Sequence, residues 1–130
     1  MQSINPEAFE IRADGSCVLV GGYSASSDKY HFPVQDCCPY TGATDIERVE
    51  LSTCGTLWAH TAVTAAPPGY AGPVPYGFGV VELTQERLRV ITLLRESDPL
   101  ALRFGQHMRL ATFDAGARVL TWCFESDRSE

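Results

Sequence analysis

The stretch from Gly55 to Leu83, GTLWAHTAVTAAPPGYAGPVPYGFGVVEL, decides the fold. Trp58, His60, Ala62 and Thr64 alternate with Leu57, Ala59, Thr61 and Val63, the period-two pattern of a half-buried strand. Tyr76, Phe78 and Val80 alternate with Gly77, Gly79 and Val81 on a second strand. Between them, residues 65–75 carry prolines at 67, 68, 73 and 75 and glycines at 69 and 72. That is too long for a tight hairpin turn. Four fixed φ angles predict a stiff loop with Tyr70 presented at its middle, a recognition surface.

Outward from this pair, the first strand runs over Glu47–Thr64 with a bend at Gly55, and the second over Tyr76–Thr84. A Gln85-Glu86 turn leads to a third strand, Arg87–Arg95. Ser97 is a candidate N-cap for a brief helix over Ser97–Leu102, with Pro99 in its first turn and Gly105 at its end. His107–Phe113 and Arg118–Glu125 form the last two strands, joined through Asp114-Ala-Gly116, and residues 126–130 read as a fraying tail. Five strands with a short helix between the third and fourth is the element order of an OB barrel.

The amino-terminal third reads differently. Pro6–Phe9 suits one helical turn, and Cys17–Val20 is a short strand ending in a Gly21-Gly22 turn. Tyr30–Pro33 is extended, since a residue before proline is pushed towards β. Cys38-Pro-Tyr-Thr-Gly42 reads as a knuckle turn closed by glycine. Residues 17–42 thus suggest a loop-rich hairpin unit with little core of its own, which needs a metal or a neighbour to hold it. The expected division is 1–45 for this segment, 46–125 for the barrel and 126–130 for the tail.

A chain of 130 residues suits one domain with a real core. Its net charge is −6, and nine of the ten basic residues are arginines without a run, so a phosphate-tracking surface is not expected. The five cysteines are odd in number, and adjacent Cys37 and Cys38 are poorly placed to bridge. Free thiols in a reducing compartment are the expectation. The opening residues lack the cationic start and apolar core of a signal peptide, and no apolar run approaches the ~20 residues of a membrane span. A cytoplasmic protein is therefore expected.

No G-x-S-x-G elbow, P-loop, H-E-x-x-H or G-x-G-x-x-G before a helix is present. His31, His60 and His107 lie far apart in sequence. His60 shares a strand face with Trp58 and reads as a surface or structural histidine or as a cavity wall. Cys54 has no neighbour in sequence that would lower its pKa. No catalytic set assembles.

Taken in order, Tyr30-His-Phe-Pro33, Cys38-Pro-Tyr-Thr-Gly42, Val49-Glu-Leu-Ser52 with Gly55-Thr56, Pro75-Tyr76-Gly77, Phe104-Gly105 and Val119-Leu-Thr-Trp-Cys-Phe124 carry a resemblance. Over about residues 16–125 the chain resembles the rubredoxin-like zinc-ribbon plus OB-fold proteins associated with acyl-CoA enzymes, the family called domain of unknown function thirty-five. The resemblance implies a mainly β protein, a five-stranded OB-fold barrel preceded by a small rubredoxin-like hairpin module. In the family that module typically carries two Cys-x-x-Cys knuckles around one zinc. Here they fall on Ser24-Ala-Ser-Ser27 and Cys38-Pro-Tyr-Thr41, so of Ser24, Ser27, Cys38 and Thr41 only Cys38 keeps a ligand. Hydroxyls stay protonated near neutral pH and are poor zinc ligands. Cys37, Cys38, His31 and Asp36 offer suitable types, but their spacing matches no common zinc pattern. A metal-free module is the expectation.

The resemblance also implies a function. Family members act as small non-catalytic subunits of thiolase-like or ketosynthase-like enzymes on acyl-CoA thioesters, in carbon–carbon bond formation or cleavage or acyl transfer. The small subunit completes the substrate channel, with the CoA thioester as a shared ligand of the complex. Tyr70 and Tyr76 are the candidate anchors, and Gly77 and Gly79 would admit a ligand or partner backbone. Trp58, Phe78 and His60 are candidates for an apolar channel wall, against ordinary barrel core. Arg89 and Arg95 are candidates for CoA phosphates, against a solvated barrel face. Two other classes compete: a single-stranded nucleic-acid binder, which net charge −6 and a lone lysine disfavour, and a small thioesterase using Cys54 and His60. Neither nucleic acid nor membrane is expected as a partner.

Overall fold

The computed structural model describes residues 2–64, 68, 74, 76–96, 98–114 and 119–127. The expectations for Tyr70, the rest of the proline loop apart from Pro68 and Val74, the Ser97 cap and residues 128–130 lie outside them. The amino-terminal strands are β1 (Gln2–Ser3), β2 (Phe9–Ile11), β3 (Cys17–Ser24), β4 (Lys29–His31) and β5 (Ile46–Glu50). They are followed by β6 (Cys54–Val63), β7 (Tyr76–Leu83), β8 (Leu88–Leu94), β9 (His107–Asp114) and β10 (Val119–Ser126).

β6, β7 and β8 form an antiparallel meander, β8 lies parallel to β10, and β10 returns through antiparallel β9 to β6. The sheet closes on itself, which removes its edges. This is the expected five-stranded OB barrel, and β1 adds to it alongside β10.

The connection from β8 to β9 is shorter than the expected helix. It is a single 3-10 turn, Pro99–Ala101, capped by Asp98, whose carboxylate accepts from the Leu100 N–H at 2.9 Å. The backbone turns extended at Leu102, which drives its side chain into the core. Gly105 comes after the turn has ended; its N–H reaches the Leu57 carbonyl at 2.7 Å.

The expected first strand, Glu47–Thr64, is two strands in two sheets. β5 pairs with β3, Val49 opposite Gly21, whereas β6 belongs to the barrel. The break falls at residues 51–53 rather than at Gly55, because Leu51 is buried in the core. Beside it, the Ser52 N–H and hydroxyl both donate to Glu86 Oε2, at 3.0 and 2.9 Å.

The Gly21-Gly22 pair also departs from expectation: it lies inside β3 instead of ending it. A Cβ built at Gly22 would overlap the His31 ring, and one at Gly21 the His31 carbonyl. The glycines are there to let β4 and its imidazole close onto the strand. His31 is 2% exposed. Its Nε2 accepts from the Gln35 N–H at 3.1 Å, so the ring proton sits on Nδ1, which is buried without a partner among the described residues.

Burial holds the His31 pKa below its ordinary value. The unfolded chain therefore binds this proton at higher pH than the folded one. The stabilisation is complete above about pH 6.5, the unfolded value, and is lost as pH falls below it. Urea midpoints are expected to decline as pH falls below about 6.5, and His31→Gln is expected to flatten that slope. An unchanged slope in the variant would assign the decline to another group.

Phe9, Leu19 and Leu51 from the amino-terminal unit join Leu57, Val81, Leu83, Val90, Leu94, Met108 and Phe124 of the barrel in one buried cluster. Phe9 and Phe32 also meet the Trp122 ring edge-on, with centroids 6.1 and 5.3 Å away. Each such side chain contributes about 1.5–3 kcal/mol by burial. The neighbour that the amino-terminal unit needs is the barrel itself.

Candidate functional site

The outward rows of β6, β7 and β8 carry the exposed apolar surface. In β8, Leu88, Val90, Thr92 and Leu94 point inward, which turns Arg89, Ile91 and Leu93 out. Opposite them on β7 stand Glu82, Val80 and Phe78, and beyond these on β6 Thr56, Ala59 and Thr61. Ile91 is 64% exposed, Trp58 41% and Phe78 37%. A bulge inserts Trp58 between Leu57, paired with Val81, and Ala59, paired with Val80. The extra residue removes Trp58 from the face of His60. Trp58 turns out beneath the Arg89 guanidinium, 4.1 Å from its ring centroid, and Arg89 also pairs with Glu82 at 3.2 Å. His60 instead joins the inward row with Gly79 and Thr92.

The structure thus gathers Trp58, Phe78 and Arg89 on one face and disperses the other candidates. Tyr76 is buried at 8% exposure beside Val63. Gly77 and Gly79 serve the chain's own packing: a Cβ at either would overlap a backbone carbonyl, that of Glu96 or of Ala59. Arg95 lies about 20 Å along the chain from Arg89 and is engaged elsewhere. Its Nε meets Glu125 Oε1 at 2.8 Å and its Nη2 the Thr112 carbonyl at 2.6 Å. Arg109 clasps the other Glu125 oxygen at 2.9 and 2.8 Å. Hydrogen bonds from Arg109, then from Arg95, hold the Glu125 carboxyl below its usual range. These groups border a hollow of about 360 Å³ with Glu96 and Ser126.

Cys54 and His60 stand six residues apart on β6, about 20 Å, too far for a nucleophile and its base. Cys54 instead borders a hollow of about 430 Å³ with Ser52, Thr84 and His107. Cys123 is buried, which pushes its thiol up to about 12 and leaves it unsuited to nucleophilic attack.

The four knuckle positions do converge. The Ser24 hydroxyl donates to Asp45 Oδ1 at 2.6 Å and lies 3.1 Å from the Ser27 hydroxyl, which is 2.7 Å from that of Thr41. Cys38 is 1% exposed, and hydrogen bonds led by that of Thr41 hold its thiol below its ordinary value against the effect of burial. The knuckle turn forms as expected, the Gly42 N–H reaching the Cys38 carbonyl at 2.8 Å with Gly42 at φ +78. Three hydroxyls and one thiol do not fit a zinc ion, which takes thiolate or imidazole. Among the described residues no group of three or more His, Cys, Asp or Glu is placed to hold a metal, His31, Asp36, Cys37 and Cys38 included.

The family is decided by the barrel. A family model, the C-terminal OB-fold domain of ChsH2, matches residues 48–114. The chain belongs to the ChsH2 OB-fold family. The match runs from within β5 to the end of β9, and β10, which closes the barrel, lies just beyond it. Among solved structures, the chain is similar to one described as an Ltp2-ChsH2(DUF35) aldolase. Identity there is 26%, the TM-score is 0.67 and the match covers 84% of both chains. It shares its fold with a DUF35 protein of unknown function from Sulfolobus solfataricus, at 11% identity and TM-score 0.54 over 85% of this chain and 76% of that one. No curated protein matches. The resemblance to the DUF35 family therefore holds for the barrel, and a hairpin module precedes it.

Two residues of these sites escaped sequence reasoning. Ile91 was legible in the alternation of LRVITLL, where it falls between Arg89 and Leu93. Asp45 gave no local signal, since its partners lie about twenty residues upstream.

Proposed function

We propose that this chain is a non-catalytic accessory subunit of a thiolase-like or ketosynthase-like enzyme acting on acyl-CoA thioesters. The reaction is carbon–carbon bond formation or cleavage, or acyl transfer. What carries the reading is similarity over 84% of both chains to the protein described as an Ltp2-ChsH2(DUF35) aldolase. The exposed face of Trp58, Phe78 and Ile91 supports it, as large apolar surfaces mark interfaces. The partner supplies nucleophile and base. This chain supplies an apolar docking face and completes the substrate channel beside the CoA thioester.

The nucleic-acid alternative fits less well. The Trp58 ring, a candidate platform for a base, is covered on one face by Arg89, whose charge is itself paired with Glu82. We place the complex in the cytoplasm, in keeping with five free cysteines. Among the described residues no helix is long and apolar enough to cross a membrane.

The test is purification of the native protein from its own cell extract, with its companion identified by mass spectrometry. A stable complex with a thiolase-fold enzyme is expected, turning over acyl-CoA, while this chain alone is inert. Elution as a free monomer, or turnover by the chain alone, would overturn the reading.

A further inference from the structure

We propose that a hydroxyl–carboxylate network anchored on Asp45 takes the place of a metal ion in the amino-terminal module. Asp45 is outside the four knuckle positions, yet it holds two residues of the first knuckle, Ser24 and Ser26. Its Oδ1 accepts from the Ser24 hydroxyl at 2.6 Å and its Oδ2 from the Ser26 N–H at 2.8 Å. The sheet fixes it there, because Asp45 immediately precedes Ile46, and Ile46 is the register partner of Ser24. From Ser24, which is 0% exposed, the network continues through Ser27 to Thr41 in the second knuckle. The Ser27 N–H donates back to Ser24 Oγ at 3.3 Å, and the Ala43 N–H to Thr41 Oγ1 at 3.3 Å.

A structural zinc does three things in a ribbon: it joins two turns, supplies charge that orients their groups, and fixes their spacing. Here Ser27 and Thr41 join the turns, the carboxylate supplies the charge with strong hydrogen bonds, and the β3–β5 register fixes the spacing. Three neutral alcohols cannot do this through a zinc ion, since they do not ionise to match it. The module is therefore independent of metal supply. This inference does not depend on the accessory-subunit reading.

The test uses the full chain. Wild-type protein expressed with added zinc is expected to carry only trace metal, and its Tm is expected to be unmoved by a chelator. Asp45→Asn and Ser24→Ala are each expected to lower Tm by about 3–6 °C. Together they lower it by less than the sum of the two, because they share the Ser24–Asp45 bond while the Ser26 and Ser27 contacts are separate. The triple variant Ser24→Cys, Ser27→Cys, Thr41→Cys places four thiols on the converging positions. It is expected to bind cobalt(II) with the bands of a tetrahedral thiolate site, and zinc is expected to raise its Tm.

Stoichiometric zinc in the wild type, with loss of Tm on chelation, would overturn the proposal. So would additive or negligible effects of Asp45→Asn and Ser24→Ala. A folded triple variant without the cobalt bands would show that the four positions do not converge. Should the triple variant fail to fold, the double-mutant cycle and the chelator measurement decide.

Discussion

Replacing Phe78 and Ile91 together by glutamate is expected to abolish assembly with the catalytic subunit and leave the isolated chain folded. Both side chains lie on outward rows of the β7–β8 ladder, on the face that also carries Trp58 and Arg89. They contribute little to the core, because the inward positions of the same strands are Gly79, Val81, Val90, Thr92 and Leu94. In a docked complex two carboxylates would be stripped of water without partners, which costs several kcal/mol. A Kd weaker by at least about 100-fold corresponds to some 2.7 kcal/mol. Titration calorimetry with the purified partner reads that loss, and circular dichroism checks that the variant melts within a few degrees of the wild type. A variant that binds normally would move the docking surface off this face, whichever enzyme the partner is.

How much was legible in the sequence depended on whether the signal was local. LRVITLL announces β8 because Leu88, Val90 and Leu94 recur at even spacing while the charged Arg89 marks the outward face. The order of five strands and a short turn was legible for the same reason. Four features were not. The bulge at Trp58 shifts every later residue of β6 to the opposite face, and it is a property of pairing with β7 that composition does not encode. The Gly21-Gly22 pair has the composition of a turn, but what it answers is the close approach of His31, which comes from another strand. Gly77 and Gly79 likewise suggested room for a ligand, and the room is filled by the carbonyls of Glu96 and Ala59. The knuckle positions were found through the family pattern. The carboxylate that completes them was not, because Asp45 reaches Ser24 only once β5 has docked on β3.

Phe9→Ala is expected to destabilise the whole chain by about 3–5 kcal/mol, the usual cost of emptying a buried phenylalanine site. Phe9 is 0% exposed although it stands on a three-residue strand near the amino terminus. It pairs with Leu19, packs edge-on against Trp122 of β10 and belongs to the same buried cluster as Leu57, Val90 and Phe124. The surrounding ladder has little freedom to collapse into the gap, since the Val20 N–H is tied to the Ala8 carbonyl at 2.8 Å and the Phe9 N–H to that of Asn5 at 2.8 Å. Small domains have about 5–15 kcal/mol in total, so Tm should fall by about 10–20 °C. The informative quantity is the number of transitions. If the amino-terminal unit and the barrel share one core, Trp122 fluorescence and far-ultraviolet circular dichroism should report a single coincident unfolding in wild type and variant alike. Leu100→Ala, at a site 92% exposed, should move neither signal. A variant in which the amino-terminal strands melt early while the barrel keeps its wild-type midpoint would show two separately stable units, and the buried cluster that spans them would then contribute little to the barrel.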